Sequence, residues 1–453
     1  MFQFSYPNAY PNTAVATFTA FVNHSYRERY EIELNENQLN WIWSGIINVF
    51  FVGYIIGSLV TPVAVESLGR KGGWYIASSV NIFATTLSAA SIQLRIPELL
   101  ALGRLIMGAG VAIDTMCLTF VLQECSPTKI RGSISSFQTL AVTVATILGM
   151  VLGMPYVIGE YPIVLILLAA IPDLMLIVAI SFCPDTPKHL LLIEKNMPAA
   201  VYSLRFYHGS TVDVSGEISM ILQEGEEEAE GENIQLSAIW RELHLRKALT
   251  IGLVAFIGQQ VTGIYAVTYF STDFFEAAGV SQVAAQMGSV IFNVIGFFSV
   301  CFVVLKVDSF GRRPLLLIFQ TLTTISVALF ATFSILHNLA HWSWARYGTL
   351  AAIFAFAATF ALGPGTIPWF LPSELVPQQY RSRVSSIIML LQTIVGLIIT
   401  LLSLPLYHIM DGFIFYILFV IPSAFCVWYL YVNMPETKHR EVGEVVEILK
   451  GNQ

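Results

Sequence analysis

Four side chains stand out because the sequence around them is otherwise apolar. Gln259 and Gln260 sit together in Phe256-Ile-Gly-Gln-Gln-Val, Asn293 lies in Ile291-Phe-Asn-Val, and Trp369 follows Gly363-Pro-Gly-Thr-Ile-Pro. A carboxamide offers a donor and an acceptor on one group, which suits a neutral ligand bearing hydroxyls. The competing role for a buried Gln or Asn is to bond one membrane helix to the next. Ionisable residues inside apolar stretches are functional candidates by default, and there are three: Arg104, Asp114 and Asp173. No Lys or Arg accompanies the amides, so an anionic ligand is disfavoured. The two acids read as buried, locally bonded groups. The sequence shows no nucleophile–base set, phosphate loop or metal spacing, and its five cysteines suggest neither a disulfide framework nor a zinc site. The expectation is therefore a non-enzyme with no metal, no cofactor and no nucleic-acid partner.

The elements that must hold these residues are membrane helices. Of 453 residues, 55% are hydrophobic and 12% charged, against roughly 25% charged in soluble domains. Mean hydropathy is +0.69. A spanning helix needs about 20 apolar residues, and hydropathy predicts twelve spans near 1–22, 41–62, 73–93, 98–122, 133–158, 161–183, 247–272, 285–307, 314–337, 343–372, 384–408 and 411–434, numbered 1 to 12 below. The lipid bilayer is the first partner. Cytoplasmic loops of membrane proteins collect Lys and Arg. With both termini cytoplasmic, all 23 basic residues except Arg27, Arg29, Arg95, Arg104 and Arg346 lie on that side. Span 1 is poor, interrupted by Pro7, Asn8, Pro11 and Asn12, and Met1 reads as though already inside a helix. The net charge of −7 owes much to Glu224–Glu232, a run expected to be solvated and flexible. Asn23-His24-Ser25 is a glycosylation sequon in the first outer loop.

The chain repeats itself. Glu66-Ser67-Leu68-Gly69-Arg70-Lys71 after span 2 returns as Asp308-Ser309-Phe310-Gly311-Arg312-Arg313 after span 8. Glu124 with Arg131-Gly132 after span 4 returns as Glu374 with Arg381-Ser382 after span 10. Pro184-Asp185-Thr186-Pro187 after span 6 returns as Pro435-Glu436-Thr437-Lys438 after span 12. Ordered recurrence at nearly one spacing marks a duplicated unit. The pattern predicts two pseudo-symmetric six-helix bundles: 1–183, a cytoplasmic linker at 184–246, 247–434, and a tail at 435–453. Glu124, Arg131, Asp185, Asp308, Arg312, Arg313, Glu374, Arg381 and Glu436 are expected to pair across segments as a cytoplasmic gate.

These motifs, with Gly103-Arg104, Gln259-Gln260-Val-Thr-Gly263 and Gly363-Pro364-Gly365, resemble the sugar porter branch of the major facilitator superfamily, and most of all its facilitative glucose transporters. The resemblance covers essentially the whole chain. It implies the all-α, twelve-helix major facilitator fold, alternating access, and a hexose site built from helices 7, 8, 10 and 11. Gln259 and Gln260 match that family's paired glutamines, Asn293 its helix 8 asparagine, and Trp369 the tryptophan after the helix 10 break.

The sequence also departs from that pattern. Thr139 stands for a helix 5 glutamine, Tyr265 for a helix 7 asparagine, Ala361 for a glutamate, and Gln392-Thr393 for an Asn-Trp pair. Phe256-Ile257-Gly258 replaces a Gln-Leu-Ser triplet, Pro62 a glycine, and Ser67 and Ser309 arginines. Thr139, Tyr265 and Gln392 are thus counted with the expected site. The acid that proton-coupled relatives carry in helix 1 is missing from Ser5-Tyr6-Pro7. The expectation is facilitated diffusion of a hexose or similar polyol at the plasma membrane. Its alternatives are a proton-coupled sugar symporter and a sugar sensor with little flux.

Overall fold

The computed structural model describes residues 1–125, 131–209, 213–232, 241–306, 311–376, 378–438 and 442–450. Among them the chain is helical throughout. Ten helices are long and apolar enough to cross a membrane, and they correspond to spans 2 to 4 and 6 to 12. Their outward faces carry bare hydrocarbon, Val178, Phe298, Ile325 and Trp428 among them, as lipid contact requires. Span 5 is Arg131–Leu152, shorter than expected because a π-turn at Pro155–Gly159 takes over. Span 1 is two helices, Phe2–Thr13 and Val15–Tyr30, that join at Ala14. The sequon therefore lies on a helix and not in a loop: Asn23 is exposed, while Ser25 is buried and donates to Phe21 O at 2.8 Å.

The chain forms two compact units, Met1–Glu230 and Gly231–Gln453. In the first, a capping box at Asn35 opens span 2: Asn35 Oδ1 accepts from Gln38 N at 2.8 Å, and Gln38 Oε1 accepts from Asn35 N. Spans 2 and 4 then meet backbone to backbone. A Cβ at Gly108 would stand 2.0 Å from Phe50 O, and one at Gly53 1.9 Å from Leu105 O. Small residues permit such close approach where no hydrophobic effect drives helices together. Arg104, buried on span 4, donates to Pro7 O, Asn8 Oδ1 and Ile47 O at 2.8, 2.7 and 3.0 Å, so it ties span 1 to span 2. After span 6 come helices Pro187–Leu192, Met197–His208 and Val214–Glu232. The acidic run expected to be flexible is helical, since Glu and Ala are good helix formers.

In the second unit span 7 is broken into Leu243–Gln260 and Ile264–Ala277. The break is at Gly263, whose φ of 86° lies in the left-handed region that glycine adopts readily. Span 10 is broken likewise, between Ala345–Leu362 and Ile367–Leu375. Leu245, Leu249, Phe256, Leu371, Val384, Ile388, Leu430 and Met434 form one core among spans 7, 10, 11 and 12. The tail adds Val445 and Leu449 to that core from its helix Val442–Lys450, and Lys247 Nζ donates to Leu449 O at 2.9 Å.

Candidate functional site

The break in span 7 carries the amides. Gln259 and Gln260 are the last residues of the Leu243–Gln260 helix, both buried. Gln260 Nε2 donates to Gln392 Oε1 of span 11 at 3.0 Å, and Gln392 Nε2 points to Met389 Sδ at 3.0 Å. Gln260 Oε1 is buried with no hydrogen bond. A Cβ at Gly396 would stand 3.2 Å from that oxygen and 3.6 Å from Tyr265 Cδ2, so Gln260, Tyr265, Gln392 and Gly396 share one neighbourhood. Tyr265 stacks on Tyr269 with ring centroids 6.0 Å apart. One turn before Gln260, the Phe256 ring meets Trp369 edge to face at 5.3 Å. Trp369 is half-exposed, an indole with one side open. A bare acceptor beside an amide donor and aromatic faces can take a hydroxyl and an apolar C–H surface together.

Two other expected positions have bonds within their own helices. Asn293, buried in span 8, donates to Ser289 O of its own helix at 3.0 Å. Thr139 is exposed on span 5 of the first unit, and its carbonyl accepts from Thr143 Oγ1 at 2.9 Å. Sequence reasoning passed over Gln320 of span 9. It is wholly buried, both its amide atoms lack hydrogen bonds, and its Nε2 would touch a Cβ at Gly258 at 2.4 Å. A glutamine in the apolar stretch Leu315–Leu322 was the available signal.

The repeated motifs build the same arrangement twice, once in each unit. In the first, Arg70 Nη2 donates to Glu124 Oε1 at 2.6 Å, and the Thr186 hydroxyl donates to Glu124 Oε2. Asp185 accepts from Lys71 N at 3.3 Å and from Thr186 N at 2.7 Å. In the second, Arg312 Nε donates to Glu374 Oε1 at 3.2 Å, and the Thr437 hydroxyl to Glu374 Oε2. Glu436 accepts from Arg312 N at 2.9 Å, Arg313 N at 3.3 Å and Thr437 N at 3.0 Å.

Glu124 and Glu374 thus each pair with an arginine of another segment, Arg70 and Arg312. Asp185 and Glu436 instead accept backbone N–H groups, and Arg313 Nη2 donates to Tyr431 O at 2.7 Å. Arg70, Thr186 and Thr437 are members that the candidate gate omitted, although all three stood in the quoted motifs. Asp308 and the side chains of Arg131 and Arg381 lie outside the described residues. Beside the first network, burial pushes the Cys125 thiol and the Tyr207 phenol up, and the phenol donates to Pro184 O at 2.9 Å.

The profile of the sugar (and other) transporter family matches residues 2–449. The chain belongs to that family. It is 26% identical over 449 residues to facilitated glucose transporter protein 1 of Caenorhabditis elegans, covering 98% of this chain and 87% of that protein. It is 29% identical over 447 residues to the chicken (Gallus gallus) solute carrier family 2, facilitated glucose transporter member 1, covering 98% and 90%. Among solved structures, the xylose transporter XylE of E. coli in a partially occluded inward-open conformation superposes with a TM-score of 0.78 at 19% identity, over 97% of this chain and 96% of that one. The proton:xylose symporter XylE bound to 6-bromo-6-deoxy-D-glucose gives 0.76 at 20% identity, over 99% and 96%. The protein is a multi-pass membrane transporter of the sugar class with the major facilitator fold.

Proposed function

We propose that the protein carries a hexose or closely similar neutral polyol down its concentration gradient by alternating access. The observation that carries the reading is the Gln260–Gln392 pair at the span 7 break. It leaves one buried acceptor open, and Tyr265 and the half-exposed Trp369 lie close to the same break. Gln259, Asn293 and Thr139 are assigned to the same site on the family pattern, within bundles 1–183 and 247–434 joined by the 184–246 linker. Downhill movement is favoured because the span 1 groups that Arg104 is seen to bond, Pro7 O and Asn8 Oδ1, are neutral. Cytoplasmic termini are favoured by the distribution of basic residues, and the plasma membrane by the resemblance to facilitative glucose transporters. The gate residues are assigned to the cytoplasmic face on the same ground.

Uptake of labelled glucose, fructose, galactose and inositol into liposomes holding the purified protein tests this. At least one hexose should enter until inside and outside concentrations match, with or without an imposed pH gradient. Accumulation that collapses with a protonophore would overturn downhill transport. Binding without uptake of any of the four would identify a sensor.

A further inference from the structure

The amino-terminal unit holds a second buried polar cluster, which the amide site does not use. Asp173 on span 6 and Asp114 on span 4 are 2% and 6% exposed, and each acts on the other through space. Both stand eight residues before the end of their span, at Ser181 and Leu122, which puts them about 12 Å in from the same end at 1.5 Å per residue. Gln3 Nε2 of span 1 donates to Asp173 Oδ2 at 2.7 Å and also to Ala169 O. Gln3 Oε1 is buried without a hydrogen bond. Asn81 of span 3, wholly buried, faces Asp173, yet neither of its amide atoms makes a hydrogen bond of ordinary length. Its Oδ1 lies against the backbone of Gly110, one turn before Asp114.

Two buried carboxylates here face one ammonium, that of Met1. The groups facing Asp114 are the Met1 nitrogen, 3.4 Å from Oδ2, with Tyr54 of span 2 and Cys117 of its own span. The groups found against Asp173 are the neutral amides of Gln3 and Asn81 and, beyond them, Asp114 and the Met1 ammonium. An ionised carboxylate held out of water is expensive unless it is paired, and such residues inside membranes are functional candidates by default, ion pathways among the roles they serve. Oxygen donors alone suit hard cations. Two carboxylates, one of them faced by the Met1 nitrogen, balance one positive charge rather than two.

We propose that Asp173, Asp114, Gln3 and Asn81 form a binding site for a small monovalent cation, a proton or a sodium ion, within the amino-terminal unit. The inference rests on the carrier reading only for its consequence. The bound cation sets how fast the carrier cycles, while the solute gradient still supplies the drive.

The test uses the purified full chain in two arms, a pH series without sodium and a sodium series at fixed pH, with the cation equal on both sides of the liposome membrane. Exchange of the transported hexose should change several-fold in one arm, and that arm names the cation. Asp173→Asn should flatten the response, and Asp173→Glu should restore it. The unfolding temperature of the wild-type protein, read across the same series, needs neither a variant nor a substrate. Binding to the folded state raises it, and Asn81→Ala should weaken that rise. A flat response in both arms and both measurements overturns the proposal, as does a response that Asp173→Asn and Asn81→Ala leave unchanged. Failure of hexose uptake alone counts against the proposed function, because the unfolding series still reads the cation site.

Discussion

Gly69→Ala should destabilise the first unit far more than Gly311→Ala destabilises the second, although the two glycines occupy equivalent places in the repeat. Gly69 joins spans 2 and 3 at φ 75° and ψ 173°, a region essentially closed to residues with a Cβ, where forcing one in costs about 1–3 kcal/mol. The new methyl would also stand 2.1 Å from Asp185 Oδ2 and 2.9 Å from His189 Nε2. It would push the carboxylate off Lys71 N, and a lost hydrogen bond to a charged group is worth about 1.5–3 kcal/mol. The two effects sum to about 2.5–6 kcal/mol. At Gly311 φ is −70° and ψ 147°, which any residue adopts. The clash remains there, 2.5 Å from Glu436 Oε2, which holds Arg313 N, so the two variants differ by the backbone cost of about 1–3 kcal/mol. Thermal unfolding in detergent can be followed with a thiol-reactive dye, because Cys117, Cys125 and Cys426 are buried and react only once exposed. Equal unfolding temperatures for the two variants, or a larger loss for Gly311→Ala, would refute the backbone argument.

Three further outcomes follow from the contacts. Gln260→Ala and Gln392→Ala should each raise the KM of the carried hexose. Their double-mutant cycle on unfolding should show a coupling of about 1 kcal/mol, and strict additivity would mean the 3.0 Å bond contributes nothing. Arg104→Lys should express poorly, since one ammonium cannot satisfy acceptors on Pro7, Asn8 and Ile47 that a guanidinium fork reaches together; wild-type yield and stability would contradict this. Ser67→Arg with Ser309→Arg should shift cysteine accessibility from the cytoplasmic toward the external mouth if the repeated motifs also act as a latch between states. Unchanged accessibility would leave them as supports within each half.

The twelve-span plan was readable because it depends on hydropathy and on motifs that recur in order. Although the arginines they meet are Arg70 and Arg312 and not the Arg131 and Arg381 that follow them, the recurrence of Glu124 and Glu374 was visible. The roles of Asp185 and Glu436 were not. Whether an acid meets an arginine head or a backbone N–H depends on where the chain turns, and the turn at Gly69 shows only in its dihedral angles. The helical state of Glu224–Glu232 was misjudged because charge density was weighed above helix propensity. In the amide site, Gln259 and Gln260 stood out by type. The partner of Gln260 could be known only once spans 7 and 11 were set side by side.

The two parts of span 7 are held by different neighbours. Its first helix is clamped at the base, where the tail helix packs Val445 and Leu449 against it and Lys247 grips the Leu449 carbonyl. Its second helix begins beyond Gly263, where the backbone can change direction with little strain and the nearest obstacle to a side chain would be the Phe419 ring. Mechanically this is a lever on a fixed post, its arm braced by span 8 through Ser271 Oγ, which donates to Ser289 Oγ at 2.7 Å. The Ile264–Ala277 arm has 14 residues, about 21 Å at 1.5 Å per residue, so a swing of roughly 10° at the pivot carries its tip through about 4 Å. That travel is close to the diameter of a methyl group, and the amides at the pivot would scarcely move while it happened.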